Sequence, residues 1–363
     1  MTPELLIDGK NAFPEILRQI GCAERSIEVH MFIWRDDGIG RKIAGALLGA
    51  ADRGVRVQIV KDRYGVVCER SEENRASFFH RGLTPAERFS VFWLTVGYNT
   101  DQLLWRGRRL GKDLERALRA HPNISVLDAD YLSDHSKYWI FDDKVLIFGG
   151  INIEDKENGT DRKGRAYRDY MVMLDDREAV RHFADQTGGI FVRNVKSPVR
   201  SFEVEQRMLS LIRDSERSLT IVMAYFSPLP AFLSSIEDAV RRGVRVRILI
   251  PAKANYMDAA NKDAMRRLFP LTGQGLTIFL SPRMIHAKVI MSEKELTVGS
   301  CNITKKAFRQ LDELNLFRKC ESDGFTRALE DSVEETIAEA VPVTKARQLR
   351  YSRLYAVIEE QFM

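Results

Sequence analysis

Histidine and cysteine are scarce in this chain, six and four among 363 residues. The cysteines, Cys22, Cys68, Cys301 and Cys320, form no C-x-x-C pair, and none stands at zinc-finger spacing from a histidine. This argues against a zinc module or a disulfide scaffold, and free thiols in a reducing compartment are expected. Long apolar runs are missing as well. Stretches such as Val145–Phe148 and Val91–Leu94 fall far short of the ~20 residues that span a bilayer. The opening MTPELLIDGKNAF has no basic segment leading into an apolar one, so no secretory leader is read there. The expected location is cytoplasmic, with any membrane contact peripheral, on the inner face of the cell membrane. Charge of one sign is only slightly in excess: 56 Lys and Arg against 51 Asp and Glu give +5. Strong nucleic-acid binding rests on many Lys/Arg–phosphate contacts and is disfavoured by so small an excess.

What the chain does contain is an internal repeat. Residues 26–61 read SIEVHMFIWRDDGIGRKIAGALLGAADRGVRVQIVK, and residues 218–251 read SLTIVMAYFSPLPAFLSSIEDAVRRGVRVRILIP. Each begins with a short β-branched apolar run suited to a buried strand. A helical pattern follows, with Ile43, Leu47, Leu48 and Ala51 on one face in the first copy and Leu233, Ile236 and Val240 in the second. Both helices end in R-G-V-R-V, where Gly54 and Gly243 suit the left-handed position after a helix. Two βαβ units imply an α/β fold of two pseudo-symmetric halves, each a mixed, mostly parallel sheet flanked by helices. Each half then adds a hairpin: 137–141 with 145–148, and 287–291 with 296–298. The halves are expected at 1–197 and 198–363, joined around Lys196–Ser201, the second closing with a C-terminal helix. The first half carries about 38 extra residues within 66–115, including FSVFWLTVGYNTDQLLW. This insert reads as an extra helix or hairpin packed on the core, or alternatively as an apolar lip over the site.

The hairpins carry the chemistry. D-H-S-K-Y-W-I-F-D supplies His135, Lys137 and Asp142, followed by Asn152 in G-G-I-N. I-H-A-K-V-I-M-S-E supplies His286, Lys288 and Glu293, followed by Ser300 and Asn302 in G-S-C-N. On a strand, residues i and i+2 share a face, so each His projects with its Lys. Each Asn, 17 or 16 residues on, leaves the following strand toward the same place. Two such halves face to face make a pocket for one phosphoryl group, with the active site at their interface. Lys supplies charge, Asn supplies amide donors, and imidazole attacks phosphorus or protonates a leaving oxygen. A lone H-x-K is a common chance match; two copies in matching βαβ contexts are not.

The double H-x-K-x4-D/E with G-S/G-x-N resembles the phospholipase D superfamily. The stretches LLIDGKNAFPEILRQI, SIEVHMFIWRDDGIGRKIAGALLGAADRGVRVQIVKDRYG and GSCNITKKAFRQLDELNL are similar to its bacterial cardiolipin synthase and phosphatidylserine synthase branch. The resemblance implies a two-step reaction through a phosphohistidine, with His135 as nucleophile and His286 as general acid. It places Glu313 at the acidic position that orients a histidine, and Asp169 in Y-R-D-Y in the matching role, which fixes an imidazole tautomer. Asn152, Asn302, Ser300, Lys137 and Lys288 would hold the phosphate, while Asp142 and Glu293 are structural, capping the turn after the strand. No metal or other cofactor is expected. The implied substrate is a phospholipid, phosphatidylglycerol first. Gly150 departs from the family's usual Ser, and Glu293 from its usual Asp.

Three functions fit these residues. The first is a phosphatidyltransferase of the cardiolipin synthase type. The second is a phospholipase D-type phosphodiesterase cutting phospholipid or nucleic acid. The third is an inactive lipid- or phosphate-binding scaffold. The oligomeric state is left open. Cys301 is read as a small buried residue in a tight turn, and His30 as packing. Arg106, Arg108 and Arg109 are read as a solvated helix face, with acidic headgroups as the other reading. The tail from Lys345 is read as an amphipathic helix docked on the body, or alternatively as a helix lying on a membrane.

Overall fold

A computed structural model describes residues 3–72, 77–79, 82–97, 112–128, 133–161, 163–185, 191–194 and 203–362. The chain divides into two compact units, Met1–Thr187 and Gly188–Met363. Unit 1 begins β1 (Glu4–Ile7), α1 (Asp8–Cys22), β2 (Ser26–Met31), α2 (Gly38–Asp52), β3 (Arg56–Lys61) and α3 (Arg63–Ser71). It continues α4 (Pro85–Gly97), α5 (Asp113–Ala120), β4 (Ile124–Leu127), β5 (Tyr138–Phe141), β6 (Val145–Gly149), α6 (Asp155–Asn158), β7 (Tyr170–Asp175) and α7 (Arg177–Asp185). Unit 2 begins β8 (Phe191–Asn194), α8 (Glu203–Asp214), β9 (Ser218–Met223), β10 (Phe226–Ser227), α9 (Pro230–Arg241), β11 (Arg245–Pro251), α10 (Asp258–Leu268) and β12 (Leu276–Ser281). It ends β13 (Lys288–Ser292), β14 (Glu295–Gly299), β15 (Ile303–Thr304), α11 (Lys305–Arg309), β16 (Glu313–Lys319), α12 (Gly324–Ala338), β17 (Val341–Pro342) and α13 (Arg353–Phe362).

Both units are built on one mixed sheet. The order is β1-β7-β6-β5-β2-β3-β4 in unit 1 and β17-β12-β11-β9-β13-β14-β16-β8 in unit 2. The parallel pairs are those of the βαβ strands, β2 with β3 and β4 beyond it, and β9 with β11 and β12 beyond it. All other ladders of the two large sheets are antiparallel. The sheets are thus mixed as expected, but not mostly parallel. The reason is connection length: a crossover helix carries the chain to a parallel neighbour, whereas the H-x-K hairpins turn back within a few residues and pair antiparallel. Asp142 and Asp143 both have φ of 53°, which suits a tight hairpin turn.

The repeat reads correctly at the helices. α2 and α9 stand where the apolar periodicity put them, with Ile43, Leu47, Ile236 and Val240 buried. Gly54 and Gly243 have φ of 95° and 87°, a conformation in which a side chain would be strained. In the insert, α4 packs on α3 and buries Leu94, while Phe89 and Phe92 stay exposed. Tyr98, Trp105, Arg106, Arg108 and Arg109 lie outside the described residues, as does the join at 196–201.

Candidate active site

The same construction appears in each unit. In unit 1 the chain leaves β2 at Met31 and runs on extended, and Ile33 N–H donates to Asn152 Oδ1 at 3.2 Å. In unit 2, Tyr225 N–H donates to Asn302 Oδ1 at 3.3 Å. Each carboxamide is pinned by its oxygen, which leaves the NH₂ as the donating end. Both asparagines are buried. His135 and His286 lie three and two residues before the strands β5 and β13 rather than within them. The backbone there is already paired: Gly149 N–H donates to Lys137 O, and Ala224 N–H to Ala287 O.

Lys137 and Lys288 are wholly buried. Each folds back on its own motif: Lys137 Nζ donates to His135 O at 2.5 Å, and Lys288 Nζ donates to His286 O. Each ammonium is thus held on the backbone carbonyl of its own histidine, two residues back. Lys137 Nζ also lies 5.1 Å from the centre of the Phe32 ring, which packs T-shaped on the His135 ring with centres 4.7 Å apart. A buried ammonium held against each motif is a group suited to charge on a phosphoryl group.

Sheet register makes the two acids equivalent. Gly149 pairs with Met171 and Gly299 with Asn315, so Asp169 and Glu313 occupy the same place two residues earlier. Gly150 N–H donates to Tyr170 O and Ser300 N–H to Leu314 O, which makes Gly150 and Ser300 equivalent too. Ser300 Oγ donates to Glu313 Oε2 at 2.5 Å, so its one hydrogen is committed to the acid rather than to an incoming phosphate. Gly150 is not a simple loss of that hydroxyl. A Cβ placed there would stand 2.4 Å from Asp169 Oδ1 and 2.5 Å from Oδ2. The shorter acid sits in the space the absent side chain leaves open. Beside Ser300, Cys301 is buried, and burial followed by the Glu313 charge pushes its thiol well above the usual range. That environment favours the thiol over the nucleophilic thiolate.

Asp142 and Glu293 perform one task in both units. Asp142 accepts from the N–H groups of Glu24, Arg25 and Ser26, and Glu293 from those of Glu216, Arg217 and Ser218. They cap the loop entering β2 and β9, not the turn after their own strand as the sequence suggested. The longer Glu293 reaches the same three donors. Burial pushes both carboxyls up, but the N–H groups outweigh it, holding Asp142 below the usual range and Glu293 down to about 2. Glu293→Ala is expected to cost about 1–2 kcal/mol at pH 7. Because the folded value lies below the ordinary 4.5, this stabilisation is full above about pH 4.5 and is lost as pH falls toward 2. Thermal unfolding of both proteins at pH 7 and pH 3 checks this. A gap that does not narrow in acid points to another cause.

Two supports escaped the sequence reading. First, His30 is buried beneath the first motif, Nε2 3.2 Å from Asp134 Oδ2 and Nδ1 3.2 Å from Ser136 O, its ring stacked on Tyr138. Asp134 N–H in turn donates to Asp62 Oδ2 at 2.8 Å, and burial pushes the Asp62 carboxyl up to about 7. The aligned residues of unit 2 are apolar: Val222, Ile285 and Ala287. The contrast between D-H-S and I-H-A was the available signal. Second, the strand exit of unit 1 is latched by a buried ion pair, Lys61 with Glu69 at 3.2 Å. Lys61 Nζ donates to Phe32 O, and Glu69 Oε1 accepts from Trp34 N–H at 2.6 Å. In unit 2 one neutral residue does both jobs. Asn261 Nδ2 donates to Ala224 O at 2.9 Å, and its Oδ1 accepts from Phe226 N–H at 2.7 Å.

The family model "cardiolipin synthase, PLD-like domain" matches residues 16–189 and 208–336, spanning both motifs. Cardiolipin synthase B of Shigella flexneri is 26% identical over 92% of this chain and 80% of that protein. The cardiolipin synthase of Staphylococcus aureus is 26% identical over 96% of this chain and 70% of that protein. Among solved structures, phosphatidylserine synthase of Haemophilus influenzae superposes with a TM-score of 0.70 at 13% identity, covering 99% of this chain and 92% of that one, a likeness of fold. With both halves matched, the chain belongs to the cardiolipin synthase family of the phospholipase D superfamily.

Proposed function

We propose that this chain is a phosphatidyltransferase of the cardiolipin synthase type, acting on phosphatidylglycerol at a bilayer surface. The observation that carries the reading is the duplicated half-site: in each unit a buried Lys lies against its own His backbone, and a buried Asn is pinned by its amide oxygen at the strand exit. The reading has the two half-sites act on one phosphorus. A ring nitrogen of His135 attacks, a P–N bond forms, and the P–O bond to the headgroup glycerol breaks. His286 gives its proton to the departing oxygen. It then takes the proton of a hydroxyl on a second phosphatidylglycerol, whose oxygen attacks phosphorus as the P–N bond breaks. Two phosphatidylglycerols thereby become one cardiolipin and one glycerol. Lys137, Lys288 and the NH₂ groups of Asn152 and Asn302 would hold the non-bridging oxygens, and Asp169 and Glu313 would fix the imidazole tautomers. Among the described residues no helix is long and apolar enough to cross a membrane, so contact with lipid is taken to be peripheral.

Incubation of the protein with phosphatidylglycerol vesicles, with products followed by mass spectrometry, tests this reading. Cardiolipin and glycerol are the expected products. Phosphatidic acid and glycerol would make water the acceptor and the protein a hydrolase. No turnover of any phospholipid would sink the transfer reading.

A further inference from the structure

Large apolar side chains that stand exposed are few among the described residues, and four of the seven lie close together in sequence near the C-terminus. They are Val341, Leu354, Tyr355 and Val357, the last three on α13 and 69%, 48% and 59% exposed. The helix is not loose. Its inner side packs on α10, where Ala356 is buried and Glu359 accepts from Ala260 N–H at 2.8 Å. Leu354 and Val357 are three apart, so they neighbour each other on the side turned away from Ala356 and Glu359. The docked helix read from the sequence is therefore present, while Leu354 and Val357 on it point to water.

The exposed charges within this segment are cations, with exposed acids only at its flanks, Glu339 before it and Glu360 on α13. From Val341 to Ile358 there is no Asp or Glu, while Lys345, Arg347, Arg350 and Arg353 are all exposed. α13 also walls a cavity of about 410 Å³, where Arg267, Lys305 and Lys306 stand with Glu360. Apolar side chains held outward beside an excess of cations match a surface whose charge is negative and whose interior is apolar. A protein partner would more often meet such a patch with a mixture of charges and a polar rim.

We infer that residues 341–357 form a docking surface for an anionic phospholipid bilayer, with Leu354 and Val357 entering the headgroup layer and Arg350 and Arg353 resting on its phosphates. The inference deepens the proposed function by naming the surface through which the protein meets its lipid. The cations draw the protein to the bilayer, and the two apolar side chains hold it there once it arrives. Neither role involves the half-sites.

Sedimentation with vesicles of equal parts phosphatidylglycerol and phosphatidylcholine tests this. Leu354→Ser/Val357→Ser is expected to weaken binding roughly 30-fold. Arg350→Gln/Arg353→Gln is expected to weaken it by a similar factor and to remove most of its salt sensitivity. Circular dichroism and melting temperature should match wild type in both, and turnover of dispersed short-chain phosphatidylglycerol should be unchanged. Wild-type binding by both double variants overturns the inference, as does a wild-type protein that ignores anionic vesicles. Self-association that the serine variant abolishes, without vesicle binding, would also overturn it and make a second copy the occupant. If the variants lose vesicle binding while the wild type turns over no phospholipid, the surface stands and the transfer reading falls.

Discussion

His135→Ala is expected to lower turnover by about 10⁴-fold or more, and His286→Ala by about 10²–10⁴-fold with a natural alcohol as leaving group. The first loss removes the atom that would bond to phosphorus. The second removes the proton that the departing oxygen needs. The difference gives a way to tell the roles apart. With a lipid analogue whose leaving group is a nitrophenol, the departing oxygen needs no proton, so His286→Ala should regain its first step and accumulate phosphoenzyme. His135→Ala should stay dead with either substrate. Combining the two changes should cost little more than His135→Ala alone if, as proposed, the two residues serve one reaction. Both histidines are buried, 8% and 6% exposed, so melting temperatures measured beside the rates separate lost chemistry from lost packing. A wild-type rate in either variant would sink the two-histidine mechanism. Phosphoenzyme in His135→Ala but not in His286→Ala would reverse the assignment.

Gly150→Ser is expected to cost about 10²-fold in kcat, although it restores the residue found at the equivalent place in the other half. The new Cβ would meet the Asp169 carboxylate at 2.4–2.5 Å, so the acid must swing away. That breaks its bond from Tyr170 N–H, 2.8 Å long, and misaligns whatever it orients. Small displacements of positioning groups cost factors of this size. Asp169→Glu alone is also expected to harm, since the longer side chain lacks a serine hydroxyl to meet it. Made together, the two changes reproduce the Ser300–Glu313 pair, whose Oγ–Oε2 distance is 2.5 Å, and activity should return to within about tenfold of wild type. Initial rates and melting temperatures of the three variants decide the matter. A double variant no better than Gly150→Ser would show that the two halves do not share this solution.

What the sequence made legible was local. Alternation on a strand, the left-handed glycines Gly54 and Gly243 and the apolar faces of α2 and α9 all depend on neighbours within a few residues. Duplication then turned weak motifs into a strong one. What stayed hidden depended on distant partners. The reach of Asp142 and Glu293 to the strand entries spans 116 and 75 residues at Ser26 and Ser218. The commitment of Ser300 to Glu313 and the filling of the Gly150 space by Asp169 are likewise set by sheet register. The sheets are not mostly parallel because strands joined by hairpins and later returns add more ladders than the crossovers do. His30 was passed over because a buried histidine is usually packing, and only Asp134 across the ladder marks it as more.

The latch at the strand exit carries a consequence for how such a chain changes over generations. Lys61 with Glu69 and Asn261 are two answers to one question, and no single replacement leads from one to the other. Losing either charge alone strands its partner in the interior, at a cost of about 3–5 kcal/mol, a large share of what holds a domain together. A lineage at either answer is therefore walled off from the other. Segments exchanged between the copies across this place would bring half a latch with them. The two halves, alike in plan, have become parts that no longer fit each other's sockets, and each is left to specialise alone.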